Sequence, residues 1–368
     1  MMTKTYSSYM EIDLNAVTHN TRLVIERTGK PLMAVVKANA YGFGAVAIAR
    51  ACERGGAASF AVARLAEALE LREAGIDKDI LVFTLMDADE YRQALEQTLI
   101  ISVFRFDQLV LLASLSQKLQ IVPKIHLKMN TGMNRLGFNL DELPALIGKI
   151  RELQLPIEGI FSHYANIDED LDDPLNREQH ERFVQALCAF RKAGFNNLIG
   201  HMTNSAAAYN SPESHFDLIR MGSSLVGVNP FYYGEKPEGI QNAMVWKTRL
   251  ISVRQVPAGE AFGYSQSVKL EHDTLVGVIP VGYADGFHRV EGNEVLIRGK
   301  RQKVVGSICA DVSFVVLDEA YPIDEEVVLI GGQGNTALTI ELLADKWHTT
   351  RADVTSGISS RVGRIYKS

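Results

Sequence analysis

The chain is 368 residues long, a length that favours two domains over one. Its formal net charge is -6, which argues against nucleic acid as a partner because phosphate contacts need concentrated Lys and Arg. The cysteines Cys52, Cys188 and Cys309 are scattered, the amino terminus is polar, and no apolar run reaches the roughly 20 residues that a membrane span needs. We therefore expect a cytoplasmic protein without disulfides and without a membrane partner.

Short apolar runs alternate with amphipathic stretches over the first two-thirds of the chain. The predicted strands are Leu32–Val36, Ser59–Ala63, Ile80–Thr84, Ile100–Val103, Ile125–Met129, Ile157–Phe161, Asn197–Gly200 and Leu218–Arg220. The amphipathic stretches between them include Leu65–Ala74, Phe106–Leu119 and Glu178–Ala193. This alternation predicts βαβ units with a parallel sheet. A set of eight such strands favours a (β/α)8 barrel over an open sheet.

The pattern changes near Asn229–Gly239, where proline and glycine cluster. Beyond it, short strands separated by turns predict an all-β domain; they are Leu275–Val281, Val295–Ile297, Lys303–Ser307, Phe314–Leu317 and Val327–Ile330. We therefore place a barrel domain in residues 1–235 and a β-rich domain in residues 236–368, with the first residues of the chain able to pair with the second domain. The acidic run Asp168–Asp173 is expected to be a solvated loop rather than a metal site, since no further ligand stands at the required spacing.

The most informative stretch is Ala34-Val35-Val36-Lys37-Ala38-Asn39-Ala40-Tyr41-Gly42, in which a predicted buried strand runs directly into a lysine. Active sites of barrels lie at the carboxyl ends of the strands. Desolvation there would lower the pKa of the Lys37 amine and favour the neutral form that attacks carbonyl groups. A lone lysine at such a position would more often leave the barrel for solvent.

Lys37 does not stand alone, because further blocks follow along nearly the whole chain. In order they are His126–Gly137, Phe161-Ser162-His163, His201–Ala207, Arg220-Met221-Gly222, Phe262-Gly263-Tyr264, Val281–Gly286 and Cys309-Ala310-Asp311. Together with the Lys37 block they resemble the alanine racemase family. The resemblance implies a barrel followed by an all-β domain, pyridoxal 5′-phosphate as cofactor, and interconversion of L- and D-alanine. It also implies a homodimer in which the β domain of one subunit caps the barrel of the other.

The resemblance assigns cofactor contacts to residues at the ends of several predicted strands. Lys37 would hold the cofactor covalently, and the other contacts would be Tyr41, Arg135, His163, Asn204, Ser205, Arg220, Gly222 and Ser223. The residues themselves support a phosphate cradle, since Asn204 and Ser205 open a predicted helix with free N–H groups. An ordinary helix cap would explain Ser205 equally well.

Three charged or titratable residues would tune this site. Arg220 matches the family arginine that faces the pyridine nitrogen, where a permanent cation keeps that nitrogen unprotonated. The resemblance implies that His163 tunes Arg220 and that His201 tunes Tyr264. Without the resemblance, the arginine could equally form a surface salt bridge, and lone histidines are more often core residues.

Racemisation removes the α-proton from one face and returns a proton to the other. The resemblance implies that Lys37 and Tyr264 serve the two faces. A free tyrosine titrates near pH ~10, so Tyr264 needs nearby positive charge or hydrogen-bond donors to act as a base.

Strand alternation places Lys128 on the same face as Lys124 and His126, where it would lie near Arg135 without a counter-ion. In many relatives this lysine carries a carbamate, which turns the cation into an anion that orients the arginine. The resemblance places the remaining site residues around the substrate; they are Lys128, His201, Tyr283, Ala310, Asp311 and Ser360.

At four positions the chain has a different residue from the one that relatives usually have. Asn130 replaces Asp, Val226 replaces Tyr, Ala310 replaces Met and Ser360 replaces Tyr, whereas Tyr283 is retained. The changes at Ala310 and Ser360 enlarge the expected substrate pocket, so a serine or broad-specificity racemase stays open beside an alanine racemase. A non-catalytic pyridoxal-phosphate carrier would lack the second domain and Tyr264. A barrel decarboxylase would need a catalytic cysteine and an acidic pocket.

Overall fold

The computed structural model describes residues 7–264 and 268–368. The chain divides into two compact units. One contains Ala16–Ala40 and Ala45–Gln241, and the other contains the described residues up to Asn15 together with Tyr41–Gly44 and Asn242–Ser368. In the described part of the chain, no helix is both long enough and apolar enough to cross a membrane.

The first described strand, β1 (Tyr9–Asp13), belongs to the second unit. Among the described residues, the first unit then contributes eight parallel strands in chain order. They are β2 (Leu32–Val35), β3 (Ser59–Val62), β4 (Ile80–Val82), β5 (Ile100–Val103), β6 (Lys124–Lys128), β7 (Gly159–Phe161), β8 (Ile199–His201) and β9 (Ile219–Met221). Each strand pairs with the next up to β8, and β2 also pairs with β9. Two backbone hydrogen bonds join the chain segments that contain β8 and β9. The Asp217 amide donates to the Gly200 carbonyl (3.0 Å), and the Arg220 amide donates to the Thr203 carbonyl (3.2 Å).

The barrel strands are buried on both faces. All four residues of β3 and all four of β5 are buried, as expected for parallel strands covered by helices. A core cluster of buried side chains crosses this sheet; its members are Met33, Ala61, Leu81, Ile100 and Leu218. The (β/α)8 barrel predicted from the sequence is therefore confirmed.

Helices connect the barrel strands. They are α1 (Leu14–Thr28), α2 (Lys37–Tyr41), α3 (Ala45–Arg54), α4 (Leu65–Glu73), α5 (Ala88–Glu96), α6 (Phe106–Leu119), α7 (Leu143–Glu152), α8 (Pro174–Lys192) and α9 (Ser205–Asn210). The bounds of β5 and α6 agree with the sequence prediction. Helix α8 begins earlier than predicted, because Pro174 occupies its first turn and the Asp173 carboxylate accepts a hydrogen bond from the Leu175 amide (2.9 Å).

The second unit is built mainly of β-strands, as predicted. Its remaining elements are β10 (Met244–Arg249), β11 (Ser252–Val256), β12 (Ala261–Phe262), β13 (Val268–Lys269), β14 (Thr274–Ile279), β15 (Glu294–Ile297), β16 (Lys300–Val305), β17 (Ser313–Leu317), β18 (Glu326–Gln333), β19 (Thr336–Leu338), α10 (Ile340–Trp347), α11 (Arg351–Ser356) and β20 (Gly363–Lys367). In the largest sheet, β1 lies between β10 and β20. It runs antiparallel to β10 and parallel to β20.

The division between the units falls after Gln241, whereas the sequence analysis placed it after residue 235. Hydrogen bonds from His19 and Asn20 hold the segment that ends at Gln241 to the barrel unit. The Asn20 amide group bonds both the carbonyl and the amide of Gln241 (2.8 and 2.9 Å), and the His19 ring contacts the Gly239 carbonyl (3.0 Å).

Candidate active site

Lys37 lies at the carboxyl end of the first barrel strand, where the backbone takes an unusual course. Strand β2 ends at Val35, and the Val36 amide still donates to the Ala61 carbonyl of the neighbouring chain segment (2.9 Å). From Ala38 (φ 53°, ψ 48°) to Tyr41 (φ 57°), four consecutive residues adopt left-handed helical angles. Such angles cost non-glycine residues roughly 1–2 kcal/mol each. Strained backbone of this kind is concentrated at functional sites.

The Lys37 amine has a modified acidity. Burial lowers its pKa, the positive charge of Arg135 lowers it further, and the carboxylate of Glu67 raises it in opposition. The net shift is downward, so a larger share of neutral amine is present near neutral pH than for an exposed lysine. A neutral amine can act as a nucleophile or accept a proton.

Arg220 places a cation inside the barrel. Its side chain is 4% exposed. Among the described residues, the guanidinium donates to the carbonyls of His201 (2.9 Å), Ser162 (2.7 Å) and Met202 (3.3 Å). Burial lowers its pKa to about 9. Because its acceptors are neutral carbonyl and ring groups, the guanidinium keeps its positive charge available to a ligand.

Two histidines also contact this guanidinium. The Nδ1 atom of His201 lies 2.8 Å from Nη1 of Arg220, and Nδ1 of His163 lies 3.2 Å from Nη2. A protonated guanidinium has donors only, so both Nδ1 atoms must accept. Burial and the charge of Arg220 hold the pKa of each ring well below the usual range, which keeps the rings neutral as this bonding requires.

The bonding continues from His201 to His126. Since Nδ1 of His201 accepts, its Nε2 carries the proton and donates to Nδ1 of His126 across 2.8 Å. His126 therefore carries its own proton on Nε2, an atom that is buried without a hydrogen-bond partner among the described residues. A chain of neutral rings thus runs from Arg220 into the barrel interior.

This geometry bears on one expectation from the sequence. The sequence analysis assigned His201 to tuning Tyr264. Both ring nitrogens of His201 are instead engaged within the barrel unit, one with Arg220 and one with His126. His163 contacts Arg220, and its role in tuning that guanidinium stays a prediction.

Lys128, at the end of β6, is 8% exposed. Burial, Arg220 and Arg135 hold the pKa of its amine well below the usual value, and the nitrogen lies 4.7 Å from the centre of the Phe161 ring. Arg135 itself is exposed. Within residues 7–264 and 268–368, none of the four basic side chains Lys37, Lys128, Arg135 and Arg220 forms an ion pair with a carboxylate. The barrel end therefore carries an excess of positive charge.

Small hydroxyl and amide groups lie at the ends of β8 and β9. Asn204, rather than Ser205, caps helix α9, since its side-chain oxygen accepts from the Ala207 amide (3.0 Å). The Ser205 hydroxyl lies 3.5 Å from the Gly222 amide. Ser223 follows, and the hydroxyl of Ser224 is buried without a partner among the described residues. These groups are the kind that bind a phosphate.

Tyr41 ends the left-handed turn and groups with the second unit. The next residue, Gly42, has a positive φ of 92°, and a Cβ there would collide with the Thr355 carbonyl oxygen. The Arg364 guanidinium also donates to the Gly42 carbonyl (3.0 Å). Glycine is therefore required after Tyr41 for both conformation and close approach.

The remaining predicted site residues lie in the second unit. Tyr264 is 70% exposed and Tyr283 is 52% exposed. The amides of Tyr283 and Ala284 donate to the carbonyls of Cys309 (3.0 Å) and Ala310 (3.1 Å). The Val281–Gly286 block and the Cys309-Ala310-Asp311 block are therefore neighbours in the structure.

A third segment joins them through an arginine that the sequence analysis did not single out. Arg361 contacts Asp311 at 2.5 Å and Asp285 at 3.5 Å, and the Ser359 amide donates to the Asp285 carbonyl (3.0 Å). Ser360, between them in the chain, is exposed. The structure therefore brings Tyr283, Ala310, Asp311 and Ser360 into one region of this unit.

Sequence reasoning also missed Glu67 and the role of His126. The available signal for Glu67 was its place three residues after Arg64 at the start of a helix, the position of a capping-box acid. His126 lies in the His126–Gly137 block, but no neighbouring residue in the sequence indicates that its ring would contact His201.

Two models of protein families match the chain. The N-terminal domain of alanine racemase matches residues 12–230, and the C-terminal domain of alanine racemase matches residues 243–366. An alanine racemase of Desulforamulus reducens is 36% identical over 367 residues, which are 97% of this chain and 98% of that protein. An alanine racemase of Symbiobacterium thermophilum is 37% identical over 369 residues, covering 98% of this chain and 97% of that protein.

Solved structures agree with this match. An alanine racemase from Streptomyces lavendulae, a producer of D-cycloserine, aligns with a TM-score of 0.95 at 33% identity over 100% of this chain and 98% of that one. An alanine racemase from Bacillus anthracis with bound L-Ala-P aligns with a TM-score of 0.94 at 28% identity over 100% of this chain and 96% of that one. Fold and site define an isomerase built from a (β/α)8 barrel and a β-rich domain. Within that class, the chain belongs to the alanine racemase family.

Proposed function

We propose that this chain is a pyridoxal-phosphate-dependent racemase that interconverts L- and D-alanine by two bases, Lys37 and Tyr264. The observation that carries the proposal is the half-buried amine of Lys37, with its lowered pKa, at the carboxyl end of a barrel strand. The names of the relatives supply alanine as the first substrate.

The barrel end fits the cofactor. Pyridoxal phosphate brings a phosphate and a phenolic oxygen, both anionic, to a place where the guanidinium groups of Arg135 and Arg220 lack carboxylate partners among the described residues. The phosphate would contact Tyr41, Asn204, Ser205, Gly222 and Ser223. The Ser224 hydroxyl, which has no hydrogen-bond partner in the described part of the chain, is next to Ser223 in sequence. When bound, the cofactor withdraws electrons from the α-carbon of the amino acid and so acidifies its proton.

The protein residues supply proton transfer and charge. For one direction of reaction, Nζ of Lys37 accepts the α-proton from one face and the hydroxyl of Tyr264 donates a proton to the other. For the opposite direction the two roles exchange, as reversibility requires. Arg220, a permanent cation with neutral partners, would face the pyridine nitrogen and disfavour its protonation. His163 would support Arg220, and Arg135 would bind the phenolic oxygen.

A serine or broad-specificity racemase is the second candidate. Ala310 and Ser360 are small where relatives carry larger side chains, and the structure brings their segments together around Asp311 and Arg361. A non-catalytic carrier of the cofactor is less well supported, because this chain has the β-rich unit with Tyr264.

The exposure of Tyr264 and Tyr283 in the single chain supports a homodimer in which the second unit of one subunit completes the site of the other. Residues 1–235 would then bind the cofactor and residues 236–368 would supply the second base. The free thiols Cys52, Cys188 and Cys309 support a cytoplasmic location.

A racemisation assay across the L-amino acids tests the proposal. We expect D-alanine from L-alanine, near-complete loss of activity in Lys37→Ala and Tyr264→Phe, and full activity in the control Lys118→Ala, which changes an exposed lysine. Borohydride reduction followed by peptide mapping should find the cofactor on Lys37. Absence of racemisation of every amino acid by the cofactor-loaded protein would refute the function, and cofactor on another lysine would refute the site.

A further inference from the structure

Glu67 joins the ends of two neighbouring barrel strands. It lies in the first turn of α4. Its Oε2 accepts hydrogen bonds from the amides of Ala63 (2.7 Å) and Arg64 (3.0 Å), directly after β3. Its Oε1 accepts from the amide of Ala38 (2.6 Å), directly after Lys37. One carboxylate therefore binds three backbone N–H groups.

The bond to Ala38 matters because of the conformation that begins there. Ala38, Asn39 and Ala40 all have left-handed angles, and such a segment persists only when its surroundings hold it. Later in the turn, the Ala40 amide donates to the Val36 carbonyl (2.8 Å) and the Asn39 side chain accepts from the Ala45 amide (2.8 Å). At its first residue, the Ala38 amide donates its hydrogen bond to the Glu67 carboxylate.

We propose that Glu67 is a positioning residue for Lys37: its carboxylate anchors the amide that follows the lysine to the end of the next strand and so fixes the point from which the Lys37 side chain extends. The inference rests on the proposed function for its catalytic consequence. The effect of the Glu67 charge on the Lys37 amine is a property of the folded chain and can be measured without catalysis.

The geometry needs a carboxylate of this length. Glutamine has one acceptor oxygen and one amide nitrogen. Its nitrogen, a donor, would therefore face either the Ala38 amide or the amides of Ala63 and Arg64, which are donors themselves. Aspartate is shorter by one methylene group, so it can keep the charge and the bonds at the start of the helix but not reach Ala38. Glu67→Gln and Glu67→Asp therefore separate loss of charge from loss of anchoring.

The charge of Glu67 also acts on the lysine. It raises the pKa of the Lys37 amine against the stronger lowering by burial and Arg135. Removal of the charge should therefore lower that pKa further. This effect acts through space and does not depend on the hydrogen bond to Ala38, so Glu67→Asp tests the anchoring separately.

A matched control exists in the next helix along the chain. Glu90 occupies the same capping-box position in α5, where its Oε2 accepts from the Asp87 amide (3.0 Å). Glu90→Gln removes the same kind of cap away from Lys37. It should reduce stability without affecting the lysine.

The first measurement uses the full chain after removal of the cofactor with hydroxylamine. Competitive labelling of lysines with acetic anhydride across a pH series, read by mass spectrometry, gives the pKa of Lys37. We expect Glu67→Gln to lower it, and Glu90→Gln and Glu67→Asp to leave it near the native value. An unchanged or raised pKa in Glu67→Gln would overturn the electrostatic part of the inference.

The second measurement uses the cofactor-loaded variants. Misplacement of a reacting group by about 1 Å can cost around a hundredfold in rate. We expect kcat to fall about tenfold or more in Glu67→Asp and Glu67→Gln, with KM for alanine changed little, and to stay native in Glu90→Gln. A folded Glu67→Asp variant with native kcat would overturn the anchoring. Absence of racemisation in the native protein would instead refute the proposed function and leave the labelling result standing.

Discussion

Arg220 shows how a buried charge can be held without a counter-ion among the residues that the structure describes. Removing a charge from water is costly unless strong hydrogen bonds replace the lost solvation. Here carbonyl groups and the acceptor nitrogens of His163 and His201 provide these bonds. A carboxylate in the same place would cancel the charge that the proposed cofactor contact uses. The neutral histidines therefore solvate the Arg220 guanidinium without cancelling its positive charge.

His126 should make the stability of the protein depend on pH. Burial above all lowers its pKa from 6.5 to about 3. Between these values the unfolded chain binds a proton that the folded chain does not, so the free energy of unfolding falls as the pH falls from 6.5 towards 3. We expect His126→Gln to reduce the slope of unfolding free energy against pH by up to about 1.4 kcal/mol per pH unit in this window.

The measurement is urea unfolding at a series of pH values and a constant protein concentration. His272→Gln, which changes an exposed histidine, is the control and should leave the slope unchanged. The same slope in native protein and His126→Gln would show that the ring is not held neutral by the fold.

Lys128 should carry a carbamate in the folded enzyme. Its amine is buried beside Arg220 and Arg135 and has a strongly lowered pKa, and the neutral amine is the form that reacts with carbon dioxide. We expect isotope-labelled bicarbonate to give a carbamate signal by NMR in the native protein and none in Lys128→Arg. An unmodified amine under saturating bicarbonate would contradict this prediction.

Ser360 should broaden the substrate range. A serine in place of a tyrosine removes a whole ring, and Ala310 removes further bulk. Apolar pockets discriminate one methylene group by only about 1–3 kcal/mol, so such truncation should admit serine readily. We expect Ser360→Tyr to lower the ratio of kcat/KM for serine to that for alanine by about tenfold, as measured on both substrates with purified protein. If this ratio did not change, Ser360 would not shape the pocket.

At the scale of elements, the left-handed turn after β2 has a conformation that is unfavourable for residues other than glycine. Ala38 is exposed and has a φ of 53°, and glycine adopts such angles without steric cost. We expect Ala38→Gly to raise the free energy of unfolding by about 0.5–1 kcal/mol, after allowance for the greater flexibility of the unfolded chain.

Ala47→Gly provides the opposite case, because Ala47 lies within the right-handed helix α3. Glycine there should lower stability by about 1 kcal/mol. Both variants can be compared by chemical unfolding. A loss of stability in both would mean that the turn does not carry the expected strain.

At the scale of the whole molecule, the proposed pair of bases comes from different units. Lys37 belongs to the barrel unit and Tyr264 to the β-rich unit, and the family resemblance places them in different subunits of a dimer. Mixing inactive Lys37→Ala with inactive Tyr264→Phe should restore activity, because one of the two sites in the heterodimer then has both native residues. Racemisation after verified subunit exchange is the measurement. No recovery would show that the two residues act within one chain.

Local patterns in the sequence were sufficient for much of the architecture. The positions of β5 and α6 follow from short apolar runs and amphipathic periodicity, which are properties of neighbouring residues. The lysine at the end of the first barrel strand was predicted for the same reason. Strand β8 was placed slightly early, at Asn197–Gly200 instead of Ile199–His201, because the ends of short strands depend on pairing with other strands.

The sequence by itself thus determined the succession of strands and helices, the barrel followed by a β-rich unit, and the residues that carry the family resemblance. Only the tertiary structure decided which side chains meet. It placed His201 between His126 and Arg220, brought Glu67 to the residue after Lys37, and set Arg361 between Asp285 and Asp311. The physical reason is that these contacts join residues far apart in the chain, whose distance is set by strand pairing and packing rather than by local conformational preference.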